Sequence, residues 1–550
     1  MPAVKSDAKL RDVVHSELAG HQNKRNFFIM AANQRYRYTY DKLACELYDL
    51  EKDHDEMRDL VGDPAYAAIR KDMHKDYIEE FRNRDQQTRY FGGLFVPAAG
   101  RHREGGESRC RPLSSTREPE GLRVGAVHPV KALAILLLAW PVQGQIYDLL
   151  LKNSHVIDPK NNIDGVMDVA IKSGKIAAVS PNLSPANAAR TIDLTGLYST
   201  PGIVDIHTHL FHTTGLRDAW AGDNSIAPDG FSFRTGVTTM VDAGSAGWRT
   251  FETFRHTVID RVQTRVFALI NISGLGMMTD AAEQEKSEFK PEEVARVARK
   301  HADVVVGVKS AHYQKPDWAS VDAAVEAGRL ANIPVMVDFG WFLPERPYWQ
   351  LVTQHLRPGD ISTHMFRGPV PWVDDQGKLL PYLREARARG VKFDVGHGNM
   401  SLVLRNAAPA IRQGFWPDSI STDLHGESMN APLIDMPTLL SKFLTLGMPL
   451  KEVILRATWN PAQIIHHTEL GHLTPGAVAD VAVWRLMEGH FGYADAYGGK
   501  IDGRERLICE LTLRAGAIAW NWNALGATDY RQLGPAYGVR EGIDQIIRPK

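Results

Sequence analysis

The amino-acid sequence predicts an α/β protein: a (β/α)8 barrel of the TIM type with a small β-sandwich formed from segments on both sides of the barrel, plus a poorly ordered N-terminal appendage. After residue 200, apolar β-rich runs alternate with amphipathic helices, a pattern typical of a parallel barrel. Short strands come both before and after this stretch. The chain has 550 residues, and such a barrel needs about 250, so we expect further parts outside it.

Composition and charge exclude several classes of protein. Hydrophobic residues make up 44% and charged residues 23%, which excludes a chain that is collagenous, coiled-coil or disordered throughout. The 64 basic and 65 acidic side chains give a formal net charge of −1, so the overall charge attracts neither nucleic acid nor an anionic membrane. The 3 cysteines lie far apart without a CxxC pair, which disfavours a disulfide scaffold or a cysteine-rich zinc site.

Residues 1–95 are polar and charge-rich, with a predicted helix at 64–82. The motif Arg35-Tyr-Arg-Tyr-Thr-Tyr40, followed by Cys45-Glu-Leu-Tyr-Asp-Leu-Glu-Lys-Asp-His54, resembles the C-terminal end of sulfatases, where a strand and a turn precede a closing helix. The sulfatase nucleophile motif is Cys-x-Pro-Ser-Arg, and Cys110-Arg-Pro-Leu-Ser114 departs from it. We therefore interpret 1–95 as a sulfatase-like C-terminal fragment without its enzyme, and a sulfatase function is disfavoured.

Residues 96–130 are rich in Arg, Gly, Pro, Ser and Glu, and this composition predicts a disordered linker. In residues 131–145, a lysine precedes a short apolar run and then small or polar residues, as in a secretory signal peptide. The run is too short for a stable membrane span, which needs about 20 residues. Two interpretations stay open. In the first, the segment is a buried helix or strand of a cytoplasmic protein. In the second, it is the signal peptide of a periplasmic or secreted protein, and the start site at residue 1 is placed too far upstream.

The β-sandwich is predicted from two flanks, residues 146–200 and 471–525, with a C-terminal extension at 526–550. In the first flank, Ser173-Gly174 separates two short strands and indicates a hairpin. The barrel is predicted at 201–470, with helical runs at 291–301, 321–331 and 379–389. Its predicted strands are 203–209, 237–243, 266–272, 304–309, 334–339, 361–366, 391–395 and 419–424.

Ionisable side chains lie at the C-terminal ends of these strands, where barrels of this kind build their active sites. They are His207, His209, Lys309, Asp338, His364, His397 and Asp423. Burying such groups is costly unless they are paired or bind a metal. In a strand, residues two apart lie on the same face, so the His207-x-His209 pair can reach one divalent cation. Together with His364 and Asp423, the pair predicts a metal site.

The motifs Val204-Asp-Ile-His-Thr-His-Leu210 and Thr474-Pro-Gly-Ala-Val-Ala-Asp480 resemble the amidohydrolase superfamily, which includes dihydroorotase and hydantoinase. Gly236-Val-Thr-Thr-Met-Val-Asp-Ala-Gly244 and Ser419-Ile-Ser-Thr-Asp-Leu-His425 are more similar to its amidohydrolase/deacetylase metallohydrolase branch. The resemblance covers about residues 146–525.

The resemblance implies a role for each strand-end residue. His207 and His209 would hold the more buried metal, and His364 the second. Lys309 would be carboxylated by CO₂ and bridge two metals as a carbamate, since a lysine ammonium has no lone pair with which to bind a metal; the alternative is a lysine paired with Asp338 or Asp423. Asp423 would bind metal and act as the general base toward the attacking water.

One position departs from the family pattern. The fifth strand usually ends in a histidine ligand, but this chain reads Val335-Met-Val-Asp338. A carboxylate oxygen is a harder ligand than an imidazole and would favour Mn²⁺ or Fe²⁺ more than the usual site does. Two interpretations stay open: Asp338 is itself a ligand, or the second site is weakened and one metal suffices.

Three further histidines are candidate substrate contacts. His212 follows His209 on a loop, His397 lies between two glycines at the seventh strand end, and His425 follows Asp423. The family match suggests substrate contacts for His212 and His397, whereas His425 would line the pocket or orient Asp423. For His212 and His397, the alternative is a hydrogen-bonded structural histidine. For His312, which follows Lys309 closely, the sequence favours neither a role in the site nor a structural role.

These observations predict a metal-dependent hydrolase that cleaves an amide or related acyl bond in a small-molecule acyl substrate, in the manner of a deacetylase. Its cofactors would be one or two divalent ions, zinc first and manganese or iron as alternatives, with the carbamate on Lys309. A cyclic amide hydrolase and a catalytically inactive binding protein of the same fold stay as alternatives. No nucleic-acid partner and no stable membrane span are expected, and homo-oligomerisation stays open.

Overall fold

The computed structural model describes residues 146–540 throughout, and before them residues 14–19, 27–32, 36–40, 45–49, 60 and 63–69. The chain divides into two units, residues 1–136 and 137–550. The predicted linker at 96–130 and the signal-like segment at 131–145 lie outside the described residues. In the described parts of the chain, no helix is both long enough and apolar enough to cross a bilayer.

The first unit contains a four-stranded antiparallel sheet in chain order, with strands β1 (Val14–Ala19), β2 (Phe27–Ala32), β3 (Tyr36–Tyr40) and β4 (Cys45–Asp49). After β4, the buried Leu60 donates its backbone N–H to the carbonyl of Leu47. The Asp63 carboxylate then caps a helical turn at Pro64–Tyr66, and residues 67–69 continue it. The strand and the helix start expected from the sulfatase-like motif are both found, whereas the likeness to sulfatases stays a prediction.

In the second unit, the two flanks of the barrel pair into one eight-stranded sheet. The first flank supplies β5 (Tyr147–Asp158), β6 (Ile163–Lys172), β7 (Lys175–Ser180), β8 (Ala188–Asp193) and β9 (Tyr198–Pro201). The second supplies β17 (Val481–Ala494), β18 (Lys500–Arg514) and β19 (Ala517–Asn521). Antiparallel pairing of β9 with β17 joins the flanks. The sheet buries an apolar core of its own, to which both flanks contribute, for example with Leu151 and Leu511.

Between the flanks, seven parallel strands follow one another in chain order. They are β10 (Ile203–Thr208), β11 (Val237–Gly247), β12 (Arg265–Asn271), β13 (Val305–Ser310), β14 (Val335–Val337), β15 (Ile361–Ser362) and β16 (Lys392–Phe393). An eighth segment, residues 419–424, makes parallel bridges from Ser419 to Asp394 and from Leu424 to Thr208. It therefore closes the barrel between β16 and β10, and the predicted fold class is confirmed.

Several barrel strands are shorter than the sequence predicts, and the cause is a change of backbone conformation. His364, two residues beyond β15, has a φ of 56°, and Asp423, within the eighth segment, has a φ of 53°. Residues other than glycine rarely adopt this left-handed conformation, and in proteins it concentrates at functional sites. The left-handed backbone therefore ends the strand conformation at His364 and Asp423, whereas His207 and Lys309 lie within β10 and β13.

Helices cover the outside of the barrel. The three helical runs predicted from the sequence are found at Pro291–Lys300, Ala319–Ala331 and Pro381–Ala388. Within residues 146–540, the other α-helices are Phe251–Thr257, Tyr348–Gln350 with a π-helical continuation at Leu351–His355, Leu404–Arg412, Met436–Thr445, Leu450–Ala457 and Trp459–Ile464. Proline at the first helical position suits Pro291 and Pro381, because the N–H that proline lacks has no partner within a helix there.

Trp484 of β17 joins the flank sheet to the barrel. Its side chain is fully buried, and its indole N–H donates to the Thr200 hydroxyl at 2.9 Å. The ring also lies against Gly236, just before β11, where a Cβ atom would come within 2.4 Å of it. Gly236 has a φ of 77°, so both the close approach and the backbone require glycine there.

Replacing this tryptophan should destabilise the whole second unit. Trp484→Ala removes a large buried ring and leaves a cavity, so we expect the free energy of unfolding to fall by about 3–5 kcal/mol. Trp522→Ala is the matched control, since that side chain is 53% exposed, and should change stability by less than about 0.5 kcal/mol. Urea denaturation of both variants measures this; equal losses would contradict the assigned role of Trp484.

Candidate active site

Three side chains converge where the eighth segment meets β10. The Nε2 atom of His209 lies 3.2 Å from Oδ1 of Asp423, and that of His207 lies 3.5 Å from the same oxygen. Among the described residues, these three side chains offer possible metal-ligand atoms that all lie within 4.8 Å of one another. All three side chains are buried. The two histidines and the aspartate predicted from the sequence are thus brought together.

Hydrogen bonds at Nδ1 fix the orientation of both imidazole rings. Nδ1 of His207 contacts the Thr363 hydroxyl at 2.9 Å, and Nδ1 of His209 contacts the Ser245 hydroxyl at 3.0 Å. Burial lowers the pKa of His207 to about 4 and that of His209 to about 3. Both rings are therefore neutral at pH 7, and each places its Nε2 atom on the side that faces Asp423, the orientation in which histidines bind metals.

The Asp423 carboxylate is held in its charged form. Burial alone would raise its pKa, but His207 and the hydrogen bonds with His209 and His425 hold it well below its usual range. Gly398 packs directly against it: a Cβ atom at Gly398 would lie 2.3 Å from Oδ2 of Asp423. The carboxylate thus occupies a space that only glycine leaves open.

Lys309, on β13, is buried beside this cluster. Its Nζ atom lies 3.1 Å from Nε2 of His207 and 3.6 Å from the sulfur of Met336. Burial lowers its pKa, against the pull of Asp338 and other carboxylates. A glycine again makes the space, since a Cβ atom at Gly244 would lie 2.5 Å from the Cβ of Lys309.

A second cluster forms around Asp338, directly after β14. Its Oδ1 accepts hydrogen bonds from Arg367 at 2.8 Å and from the Gly340 N–H at 2.9 Å. Its Oδ2 lies 3.3 Å from Nε2 of His364 and equally 3.3 Å from Nε2 of His312. Burial would raise the pKa of Asp338, but Arg367 and His364 hold it well below its usual range.

The two histidines of this second cluster are also fixed through Nδ1. His364 contacts the Gly396 carbonyl at 2.7 Å, and His312 contacts the Glu283 carboxylate at 2.8 Å. Burial would lower the pKa of His312, but the charge of Glu283 and the hydrogen bond to Asp338 raise it to about 10.

The three predicted substrate histidines have different surroundings. His212 is half-buried, with Nδ1 3.0 Å from the Leu210 carbonyl. His397 is fully buried, and both ring nitrogens are engaged, with the Gly398 carbonyl at 2.8 Å and with Lys442 Nζ at 2.7 Å. His425 is buried beside Asp423, and among the described residues its Nε2 has no hydrogen-bond partner.

Other site residues come from positions that the sequence did not single out. Trp220 packs its ring 5.0 Å from that of His209, 5.6 Å from His312 and 4.4 Å from His425. No sequence signal marks Trp220, Glu283 or Lys442, because each reaches the site from a loop or an outer helix that carries no motif. Arg367 lies three residues after His364, and no motif marks it either.

Comparison with known proteins identifies the family to which this chain belongs. The model of the amidohydrolase family matches residues 398–505. A deacetylase of Brucella anthropi is 32% identical over 345 residues, which are 61% of this chain and 83% of that relative. The chain belongs to the amidohydrolase superfamily.

Solved structures of the superfamily have the same fold. An adenine deaminase matches with a TM-score of 0.62 and 29% identity, covering 68% of this chain and 100% of that one. A dihydroorotase matches with a TM-score of 0.58 and 28% identity, covering 67% and 98%. This amidohydrolase is therefore a hydrolytic enzyme that acts on carbon–nitrogen bonds. Members of the superfamily generally use divalent metals, and His207, His209 and Asp423 offer a matching set of ligand atoms.

A methyl group at Gly398 should disturb the site directly. In Gly398→Ala, the added Cβ meets the Asp423 carboxylate, so the loss of stability should exceed the about 1–2 kcal/mol that a left-handed alanine costs by itself. Gly377→Ala is the matched control, because Gly377 has a φ of 75° but a methyl group there would meet nothing within 4 Å. Chemical denaturation compares the free energies of unfolding of the two variants. Equal values would show that the Asp423 side chain can move away from the added methyl group without loss of stability.

Proposed function

We propose that this amidohydrolase is a metal-dependent, deacetylase-like hydrolase that cleaves an amide or related acyl bond of a small molecule. The observation that carries the proposal is the buried group of His207, His209 and Asp423, with ligand atoms within 4.8 Å of one another. A relative of 32% identity that is named a deacetylase favours this subtype. Residues 146–525 are proposed as the catalytic unit.

The donor atoms of the site suit a divalent ion. His207, His209 and Asp423 would hold the first ion through neutral imidazole nitrogens and a charged carboxylate, a set that zinc prefers. His364 and Asp338 would contribute to a second ion, and the harder Asp338 oxygen also admits manganese or iron. Thr363 and Ser245 support the choice of His207 and His209, because a fixed Nδ1 orients Nε2 toward a metal.

Lys309 is proposed to carry a carbamate derived from CO₂. Only the neutral amine can attack CO₂, and burial shifts the pKa of Lys309 in the direction that makes it neutral. The modified side chain would be an anion beside His207, able to bridge two cations. An unmodified ammonium in the same place has no lone pair for a metal.

Asp423 is proposed as the general base. A divalent ion held by His207, His209 and Asp423 would lower the pKa of a bound water and polarise the carbonyl under attack. Asp423 accepts the proton of the attacking water and delivers it to the leaving nitrogen or oxygen. Its carboxylate, charged at neutral pH and fixed against Gly398, is oriented for that transfer.

His425 is the proposed substrate contact with the most direct support. Its Nδ1 lies 2.7 Å from the Asp423 carbonyl, which leaves the buried Nε2 available to a ligand. His212 stays a candidate at the rim of the site. His397 would influence the substrate through the loop from Gly396 to Gly398, since Lys442 and the Gly398 carbonyl occupy its nitrogens.

Cyclic amide hydrolysis is the second candidate, because a dihydroorotase matches the fold with a TM-score of 0.58. The same residues would serve both reactions, and only the shape of the substrate differs. A screen of N-acetyl amino acids, acetylated hydroxy acids and cyclic imides separates them. Full metal loading without hydrolysis of any of these would favour a catalytically inactive binding protein.

Changing the proposed base tests the mechanism. Asp423→Asn keeps an oxygen that can bind metal but cannot accept a proton, so kcat on the best substrate of the screen should fall by about 10²–10⁴-fold. Metal content, measured by mass spectrometry, should stay at the wild-type value. His355→Ala, which removes an imidazole outside the site, should retain full activity. An active Asp423→Asn enzyme would refute the role of Asp423.

Removal of the metal tests the cofactor. Dialysis against a chelator should abolish hydrolysis and lower the melting temperature, because the neutral imidazoles and the Asp423 carboxylate lose their common partner. Zn²⁺, Mn²⁺ and Fe²⁺ are then added back separately, and recovery of both activity and melting temperature identifies the ion. Undiminished hydrolysis by demetallated protein would contradict a metal-dependent mechanism.

A further inference from the structure

His312 lies just beyond β13 and faces the second cluster. Its backbone has a φ of 51°, in the same left-handed region as His364 and Asp423. This conformation directs Nε2 of His312 to Oδ2 of Asp338, at 3.3 Å. The same oxygen is 3.3 Å from Nε2 of His364, so the carboxylate stands between two imidazoles.

The imidazole of His312 is supported as a metal ligand would be. Its Nδ1 contacts the buried carboxylate of Glu283 at 2.8 Å, and the other oxygen of Glu283 accepts a hydrogen bond from Asn271 at 3.0 Å. A carboxylate on the far nitrogen is the usual companion of a metal-binding histidine, since it fixes the ring and increases its basicity. His207, His209 and His364 are also fixed through Nδ1, which leaves Nε2 facing the site.

His312 is also adjacent to the first cluster. The ring of Trp220 packs 5.6 Å from that of His312 and 5.0 Å from that of His209, so one aromatic side chain covers both. His312 retains 25% exposure of its side chain, whereas that of Asp338 is 2% exposed. The imidazole thus lies at the open side of the second cluster, where an ion could reach it.

From this arrangement we propose that His312 is a ligand of the second metal ion, which it binds together with Asp338 and His364. The proposal rests on the metal-dependent function proposed above and assigns the second ion a ligand from the β13 side of the barrel. His312 thereby supplies the second imidazole that the fifth strand, ending in Asp338, does not provide. The three ligand atoms are spread more widely than those of His207, His209 and Asp423, so the second ion is the more weakly bound.

The competing arrangement is an ion-pair network without a second metal. In it, His312 stays protonated between Glu283 and Asp338, while Arg367 neutralises the other side of Asp338. The two arrangements differ in how many ions one chain binds and in whether that number depends on His312. Metal stoichiometry therefore separates them.

The test loads the full-length protein with Zn²⁺, removes the excess by desalting and counts the ions per chain by mass spectrometry. We expect two ions in the wild type, with the second lost first as a chelator is titrated in. His312→Ala should retain one tightly bound ion. Glu283→Gln should keep both sites but bind the second ion about 10–100-fold more weakly, because the support of the imidazole is weakened.

Two further variants keep the result interpretable. His312→Gln retains an amide that can donate to Glu283, so it preserves the loop if His312→Ala does not fold, and it should also hold one ion. His355→Ala is the matched control: His355 contacts Asp322 at 2.7 Å outside the site, and its removal should leave two ions bound.

The possible failures are distinguishable. Two ions with unchanged affinity in a folded His312 variant would overturn the assignment, as would a wild-type protein that binds a single ion. Either result leaves the proposed hydrolase function standing on the first cluster. A wild-type protein that binds no ion, or that hydrolyses no acyl substrate when loaded, contradicts the function instead.

Discussion

The contact of Asp423 with β10 both closes the barrel and assembles the site. Its backbone N–H donates to the His207 carbonyl at 2.7 Å, which ties the eighth segment to the first strand. Its carboxylate reaches Nε2 of His207 and of His209 from the same position. The left-handed backbone of Asp423 makes both contacts possible at once, and Gly398 leaves the space for the side chain. Barrel closure and the convergence of these three side chains thus depend on the same residue.

Much of this architecture could be predicted from the sequence. The eight strand positions and three helices follow from apolar periodicity, and pairing between the flanks follows from strands on either side of the barrel. The strand ends at His364 and Asp423 could not be predicted, because a left-handed residue interrupts each run without changing its hydropathy. The convergence of His207, His209 and Asp423 could be predicted, because a parallel barrel brings the C-terminal ends of its strands together.

The remainder of the site depends on contacts between distant segments. Glu283 reaches His312 from the loop after β12, and Lys442 reaches His397 from the helix Met436–Thr445. A glutamate on a loop or a lysine on an outer helix ordinarily faces water, so nothing local indicates that either is buried. The departure at Asp338 was visible in the sequence, but the residues around it, His312 and Arg367, could be identified only from their contacts.

The pairing of β9 with β17 has a consequence for how this chain folds. Thr200 and Trp484, which meet at this seam, are 284 residues apart, and the entire barrel lies between them. On a ribosome, the first flank emerges long before its partner strands exist, so the edge of β9 must wait for the barrel to be made. Contacts of such high sequence separation slow folding. During that interval, β9 exposes the edge that later pairs with β17, and an unpaired strand edge of this kind promotes aggregation.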